Sequence, residues 1–205
     1  RIMSTTKVQG DMIDVDGATV AVVAAGDKFN FLDITDSLVK EDTVQGILDL
    51  GGGFTLGTEQ ATTSGTSYTF GSIPAGTTQI VIMLEAVSFT AGVELILTLG
   101  DAGGLETTGY VGKHSLNGST NSDLTTSSFQ FDTNQNAADQ LEGTIWLSLK
   151  DAANFTWICT GIMMTREGSS NLAITTGSKS LSAELTQVSL SGGTGDVGSV
   201  NIMYQ

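Results

Sequence analysis

Apolar residues in this chain fall into short runs that alternate with polar neighbours, the period of a half-buried β-strand and not of a helix. Tyr68 and Phe70 alternate, and Ile73-Pro74-Ala75-Gly76 reads as a turn. Residues 79–90 and 93–99 read as two long strands joined by a tight turn at Ala91-Gly92. Further strands are expected over 127–131, 143–149, 156–164, 171–175, 181–190 and 199–204. Ile145, Leu147 and Leu149 share one face; Leu181, Ala183 and Leu185 share another, with Glu184 and Thr186 opposite. So many short strands between residues 67 and 205 predict an all-β, jelly-roll-like antiparallel β-sandwich. The Asn-, Ser-, Gly- and Thr-rich stretch 111–123 is expected to be its longest exposed loop.

The first third reads differently. Val20-Ala21-Val22-Val23-Ala24-Ala25, after the acidic turn Asp14-Val15-Asp16-Gly17, suits a short strand or extended arm. Phe29 and Phe31 alternate with polar neighbours, as in another strand. Asp36-Ser37 and Asp42-Thr43 have helix-capping chemistry, and a short helix over 43–50 would set Val44, Ile47 and Leu48 on one face before Gly51-Gly52-Gly53 stops it. Residues 51–66 are Gly- and Thr-rich, with the character of a linker. The expected organisation is therefore a small extended N-terminal segment with one short helix, 1–66, and a sandwich head, 67–205. No internal repeat and no heptad seam is visible.

Composition narrows the function. A chain of 205 residues suffices for one sandwich and an accessory segment. With 40% hydrophobic and only 15% charged residues it is core-bearing, not disordered. The formal net charge is −14 with 8 Lys and Arg, which argues against a nucleic-acid partner, because phosphate binding needs cations to displace counterions. Anionic membranes are disfavoured likewise. The longest apolar run, 80–89, is interrupted by Glu85 and is too short to insert through a bilayer. Cys159 is the single cysteine; within Trp157-Ile158-Cys159 it reads as a small buried hydrophobe. Nothing at Arg1-Ile2-Met3 reads as a secretory leader, and the chain either starts naturally at Met3 or is a piece of something longer.

Candidate chemistry is sparse. Asp11, Asp14 and Asp16 before Gly17 could attract a cation, but the glutamate that completes a calcium loop is missing, so a solvated acidic turn is expected. The glycine run at 51–53 lacks the Gly-Lys-Ser/Thr of a phosphate loop. His114 is the sole histidine and no Gly-x-Ser-x-Gly elbow accompanies it. Asp101, Glu106, Asp132 and Glu142 could form a glycosidase pair only if brought together in space; as scattered acids they solubilise a β surface. Trp146 and Trp157 lie within strand patterns and are assigned to the core. No catalytic residue, cofactor or metal is expected, and the reading is of a non-enzymatic protein.

Three blocks carry a resemblance. Ser72-Ile73-Pro74-Ala75-Gly76-Thr77 before a long strand, Leu99-Gly100-Asp101-Ala102-Gly103-Gly104-Leu105-Glu106-Thr107-Thr108-Gly109-Tyr110, and Leu181-Ser182-Ala183-Glu184-Leu185 leading into Gly198-Ser199-Val200-Asn201-Ile202-Met203-Tyr204-Gln205 resemble a β-sandwich domain of tailed-phage virion and tail-fibre proteins. Together they cover 68–205. The stretch 26–33, followed by 40–50, is similar to fibre shafts and connecting segments. The chain departs from that family in the penultimate strand, where Thr186-Gln187-Val188-Ser189 replaces basic residues. The resemblance implies a structural protein at the virion surface, on capsid or tail, a homotrimer, with other virion proteins and a host-surface glycan as partners. A tail fibre acting in host attachment is the first expectation; a capsid decoration (cement or head-fibre) protein and a glycan-cleaving virion enzyme are alternatives. Candidate particle-docking residues are Val20, Val22, Val23, Phe29 and Phe31. Candidate receptor-loop residues are Tyr110, His114, Asn117 and Asn121.

Overall fold

The computed structural model describes residues 28–33, 38–43, 52–90, 94–120, 124–131, 138–167 and 170–205. Among these all regular structure is β-strand. The chain divides into two compact units, Arg1–Gly53 and Phe54–Gln205. In the first, β1 (Lys28–Asp33) pairs antiparallel with β2 (Leu38–Thr43), from Lys28 opposite Thr43 to Asp33 opposite Leu38. The strand expected around Phe29 and Phe31 is therefore present. Residues after Asp36-Ser37 run extended instead of helical, because a six-residue ladder to β1 outweighs local capping preference. Thr43, the expected first helical residue, closes β2; the rest of that helix, 44–50, lies outside the described residues.

The second unit comprises β3 (Thr55–Leu56), β4 (Gln60–Ala61), β5 (Ser67–Phe70), β6 (Gln79–Phe89), β7 (Leu95–Asp101), β8 (Gly104–Leu105), β9 (Tyr110–Leu116), β10 (Ser119–Thr120), β11 (Phe129–Phe131), β12 (Leu141–Asp151), β13 (Thr156–Thr165), β14 (Leu172–Ser180), β15 (Gln187–Ser191) and β16 (Gly195–Tyr204). The described strands make a larger sheet, β10-β9-β14-β13-β12-β6-β16-β3 with β4 also on β16, and a smaller one, β11-β7-β15-β5 with β8 on β7. All pairings are antiparallel. Three of them, β6 with β16, β7 with β15 and β9 with β14, are nested in sequence, as in a long hairpin folded over on itself. This nesting is the jelly-roll-like feature of the sandwich. The hairpin β12–β13 forms its tip, and β12 closes back onto β6.

The core lies between the sheets. Ile80, Ile82, Ile145, Leu147 and Ile202 reach it from the larger sheet, and Leu97, Leu99, Phe129, Phe131 and Leu190 from the smaller. Strand β12 follows its expected alternation, with Ile145 and Leu147 fully buried and Leu149 packed beside them. Small residues make room for large ones. Gly112 and Gly177 face each other across β9 and β14, and both lie against the Phe129 ring.

Three expectations are corrected. Strands β6 and β7 are not a hairpin: β6 pairs with β12 and β16, whereas β7 pairs with β11 and β15, so the chain crosses between sheets there. Alternation reports which face of a strand is buried, not which sheet it joins. Residues 54–66 are not a free linker. Strands β3 and β4 add to the edge of β16, Thr62 is fully buried, and its hydroxyl donates to the Val197 carbonyl (2.8 Å). The division of the chain accordingly falls after Gly53, before the 66/67 boundary. Only Gln187–Ser191 of the stretch 181–190 is strand; Leu181 and Leu185 are buried but Ala183 is exposed, because 181–186 turns over the sandwich end.

Candidate functional site

The stretch 111–123, expected as an exposed loop, is mainly a β-hairpin. Strand β9 pairs with β14 along its length and β10 returns along β9. Asn117 (φ 50°) and Gly118 (φ 80°) form the turn between them, the left-handed pair that two-residue hairpins require. The Asn-Gly dipeptide between Leu116 and Ser119 was the sequence signal for it. Of the candidate receptor residues, Tyr110 and His114 point inward and are buried, which removes both from any receptor contact. Asn117 is exposed, but its side chain ties the hairpin to the start of β14: Nδ2 donates to Asn171 Oδ1 (2.9 Å), and Oδ1 accepts from the Leu172 N–H (2.8 Å). Asn121 lies outside the described residues, as do Val20, Val22 and Val23; Phe29 and Phe31 are on β1, opposite Asp42 and Lys40.

The acidic residues of the central resemblance block hold the fold together. The Tyr110 hydroxyl accepts from the Leu99 N–H (2.7 Å), and its ring meets Phe129 edge-on at 5.0 Å. Lys179, buried, lies 5.5 Å from the Tyr110 ring centroid and ion-pairs with Glu106. Glu106 Oε1 also accepts from the Ser182 N–H (2.7 Å), while the Ser182 hydroxyl donates to Asp101 Oδ2 (2.7 Å). Hydrogen bonds from Ser182 and from the Gly103 N–H hold the Asp101 carboxyl below its ordinary range. These two carboxylates pin the turns at 101–109 and 180–186 to each other. Glu142 is elsewhere, 3.9 Å from Arg166, and Asp132 is outside the described residues. Cys159 is buried and its thiol is pushed up by desolvation, so it is held as a neutral thiol. Among the described residues no three His, Cys, Asp or Glu side chains cluster to hold a metal.

The feature that sequence reading missed is on the outer face of the larger sheet. Ile162 and Met164 of β13 stand directly opposite Ile174 and Leu172 of β14, and these four side chains are 44–52% exposed. Trp146, assigned by pattern to the core, points outward from β12 instead; only Trp157 is buried. The Trp146 ring meets Phe54 at 6.4 Å, edge to face, and lies in the ladder beside Val81, which is itself opposite Met203. Leu56 on β3 extends the strip to the sheet edge. Between Glu142, Gly143, Ile162, Met164 and Leu172 is a dimple of about 270 Å3. The signal was present as broken alternation: Ile162-Met163-Met164 and Leu172-Ala173-Ile174 are apolar in both phases, where a solvated face would be polar in one.

Charge avoids this face. The outward positions Thr144, Trp146 and Ser148 on β12, Thr160, Ile162 and Met164 on β13, and Leu172, Ile174 and Thr176 on β14 carry none. Lys113, Lys150 and Glu85 lie around the β12–β14 part, and Glu142, paired with Arg166, lines the dimple opposite Met164. No protein-family model, curated protein or solved structure matches the chain.

Proposed function

We propose that the chain is a structural component of a tailed-phage particle, a short fibre or surface protein that acts in assembly and host attachment. The apolar outer face of the larger sheet is the observation that carries this reading. Exposed apolar patches of such extent mark association surfaces. Its occupant is a second copy of the chain. A net charge of −14 opposes self-association, least where acids are sparse, and the β12–β14 part of this face carries only Glu142, paired with Arg166, with Glu85 on β6 beside it. From Leu56 to Ile174 it spans six strands; at about 4.8 Å between strands and about 3.3 Å per residue over five residues of each it covers roughly 480 Å2. That is over half of the about 800 Å2 per partner of a standard stable interface. Trp146 and the dimple beside Gly143 occupy different places on the face. A contact of one copy's Trp146 with the next copy's dimple is heterologous, the kind that closes into a ring, and a homotrimer is the ring the sequence resemblance implies.

Sedimentation velocity on the full chain tests the assembly. The expected result is a trimer that becomes monomeric when Ile162→Glu and Ile174→Glu are combined, with circular dichroism unchanged. A wild-type monomer, or a trimer indifferent to both changes, would remove the face from the argument. Immunogold labelling of intact particles tests the setting. Gold at the tail supports a fibre and gold on the capsid supports decoration, whereas unlabelled particles overturn the virion reading.

A further inference from the structure

A second concavity lies at the other side of the sandwich from the nested tip, where the edges of the two sheets approach. It has a volume of about 470 Å3 and lies between the β3–β4 segment and β5, with the end of β16 beneath. Concavities of about 300–1,000 Å3 are the size of ligand sites. Its walls are held in place. The Gly57 N–H donates to the Ile202 carbonyl (2.7 Å), Asn201 Nδ2 donates to the Gly57 carbonyl (3.2 Å), and Gln60 Nε2 spans the groove to the Thr69 carbonyl (2.8 Å).

The lining has a definite chemistry. Phe70 and Ile202 supply an apolar floor, Tyr204 supplies an aromatic ring, and Leu56, which also ends the apolar face, stands at the rim. Thr58, Gln60 and Ser72 surround these with hydroxyl and amide groups, beside Thr69, whose hydroxyl also bonds Ser189 Oγ (2.8 Å). No charged side chain lines it, although the chain carries 22 acidic residues. An ionic ligand would find no counter-charge there. A wholly apolar ligand would strip water from the hydroxyls and leave them unpaired, at a cost in free energy. A pyranose fits both halves, since it presents C–H groups to an aromatic or aliphatic surface and hydroxyls around its rim.

We propose that this groove binds a neutral oligosaccharide, with Tyr204 under a sugar ring and Thr58, Gln60, Thr69 and Ser72 bonding its hydroxyls. The inference deepens the attachment half of the proposed function and relocates it from the 110–123 hairpin to the sheet edges. The groove shares Leu56 with the apolar face, but the tests are separable: lack of sugar binding would leave the trimer standing, and unlabelled particles would leave the groove standing.

The experiment is a neutral-glycan array on the full chain, followed by calorimetric titration with the best trisaccharide, an acidic galacturonic acid trimer and a Leu-rich peptide. The informative variant is Gly71→Leu. Gly71 lines the groove and a side-chain carbon there meets nothing within 4 Å, so leucine adds bulk at the rim without displacing the backbone. Tyr204→Ala is the second variant. The inference expects binding of a neutral glycan, at least tenfold weaker in both variants at a temperature where circular dichroism shows each folded, and none of the acidic trimer. It is overturned if no neutral glycan binds, if binding persists unchanged in both variants, or if the peptide binds and the sugars do not.

Discussion

Lys179 lies on the inner side of β14 with 4% of its side chain exposed, where an ammonium without a partner would be severely destabilising. Glu106 is that partner. Burial alone would raise the Glu106 carboxyl, but hydrogen bonds from Lys179 and from the Ser182 N–H, with the lysine's charge, together hold it below its ordinary 4.5. A depressed carboxyl stabilises the fold above its unfolded value and ceases to do so as pH falls through its folded value. Acid unfolding is thus expected to begin below about pH 4.5, and in Glu106→Gln that portion of the pH dependence should disappear. The same variant leaves Lys179 without its carboxylate and should lose about 3 kcal/mol in urea unfolding, with much of it restored when Lys179→Met is added. Tyr110 gives the opposite limb. Burial foremost, then the nearby Glu106 charge, push its phenol up to about 12 against the pull of the Leu99 hydrogen bond. A raised phenol stabilises fully below its ordinary 10.0 and loses that contribution as pH rises from there toward 12. Phenolate absorbance should show late titration from Tyr110 and from Tyr68, whose phenol burial also raises, and Tyr110→Phe should remove the latest part. That change also strands the buried Leu99 N–H, for a loss of about 1–2 kcal/mol.

At the scale of elements, strand β11 is short and both of its phenylalanines are fully buried, so its position depends on what receives them. Gly112 and Gly177 receive Phe129. A β-carbon at Gly177 would stand 2.5 Å from the Val111 carbonyl oxygen and 2.9 Å from the Phe129 ring. Gly177→Ala should therefore destabilise by about 1–3 kcal/mol through overpacking, seen as a lower melting temperature. Adding Phe129→Leu should recover part of the loss if the ring is the obstacle, and none of it if the carbonyl is. Strands β12 and β13 were legible because one phase of each is continuously apolar. Strands β3 and β4, on the edge of β16, were not. Two-residue strands have no periodicity to read, and they exist because β16 offers them an open edge.

For the whole molecule, a chain of net charge −14 that associates through an uncharged face should associate more tightly as salt rises, because screening removes the repulsion between rims and leaves apolar burial intact. Sedimentation at increasing sodium chloride should shift the chain toward the larger species. The Ile162→Glu, Ile174→Glu variant should remain monomeric throughout. Association that weakens with salt would instead point to ion pairs such as Lys113 or Lys150 with acids of the neighbour, and away from the apolar patch.

Sequence alone determined that the chain is all-β, that its larger part is an antiparallel sandwich, and which residues of β12 face the core, because a period of two records burial strand by strand. Tertiary structure decided the rest. The strand order follows from which edges remain open after each pairing, and adjacent sequence does not carry that information; hence β6 and β7 part company and residues 54–61 join β16. Tyr110 and His114 fall inside because β9 is paired along its length with β14, a contact between segments far apart in the chain. Trp146 faces outward because its strand's other phase, Ile145 and Leu147, already fills the core. Both candidate surfaces, the apolar face and the uncharged groove, are assembled from side chains of several strands, and only the fold places those side chains together.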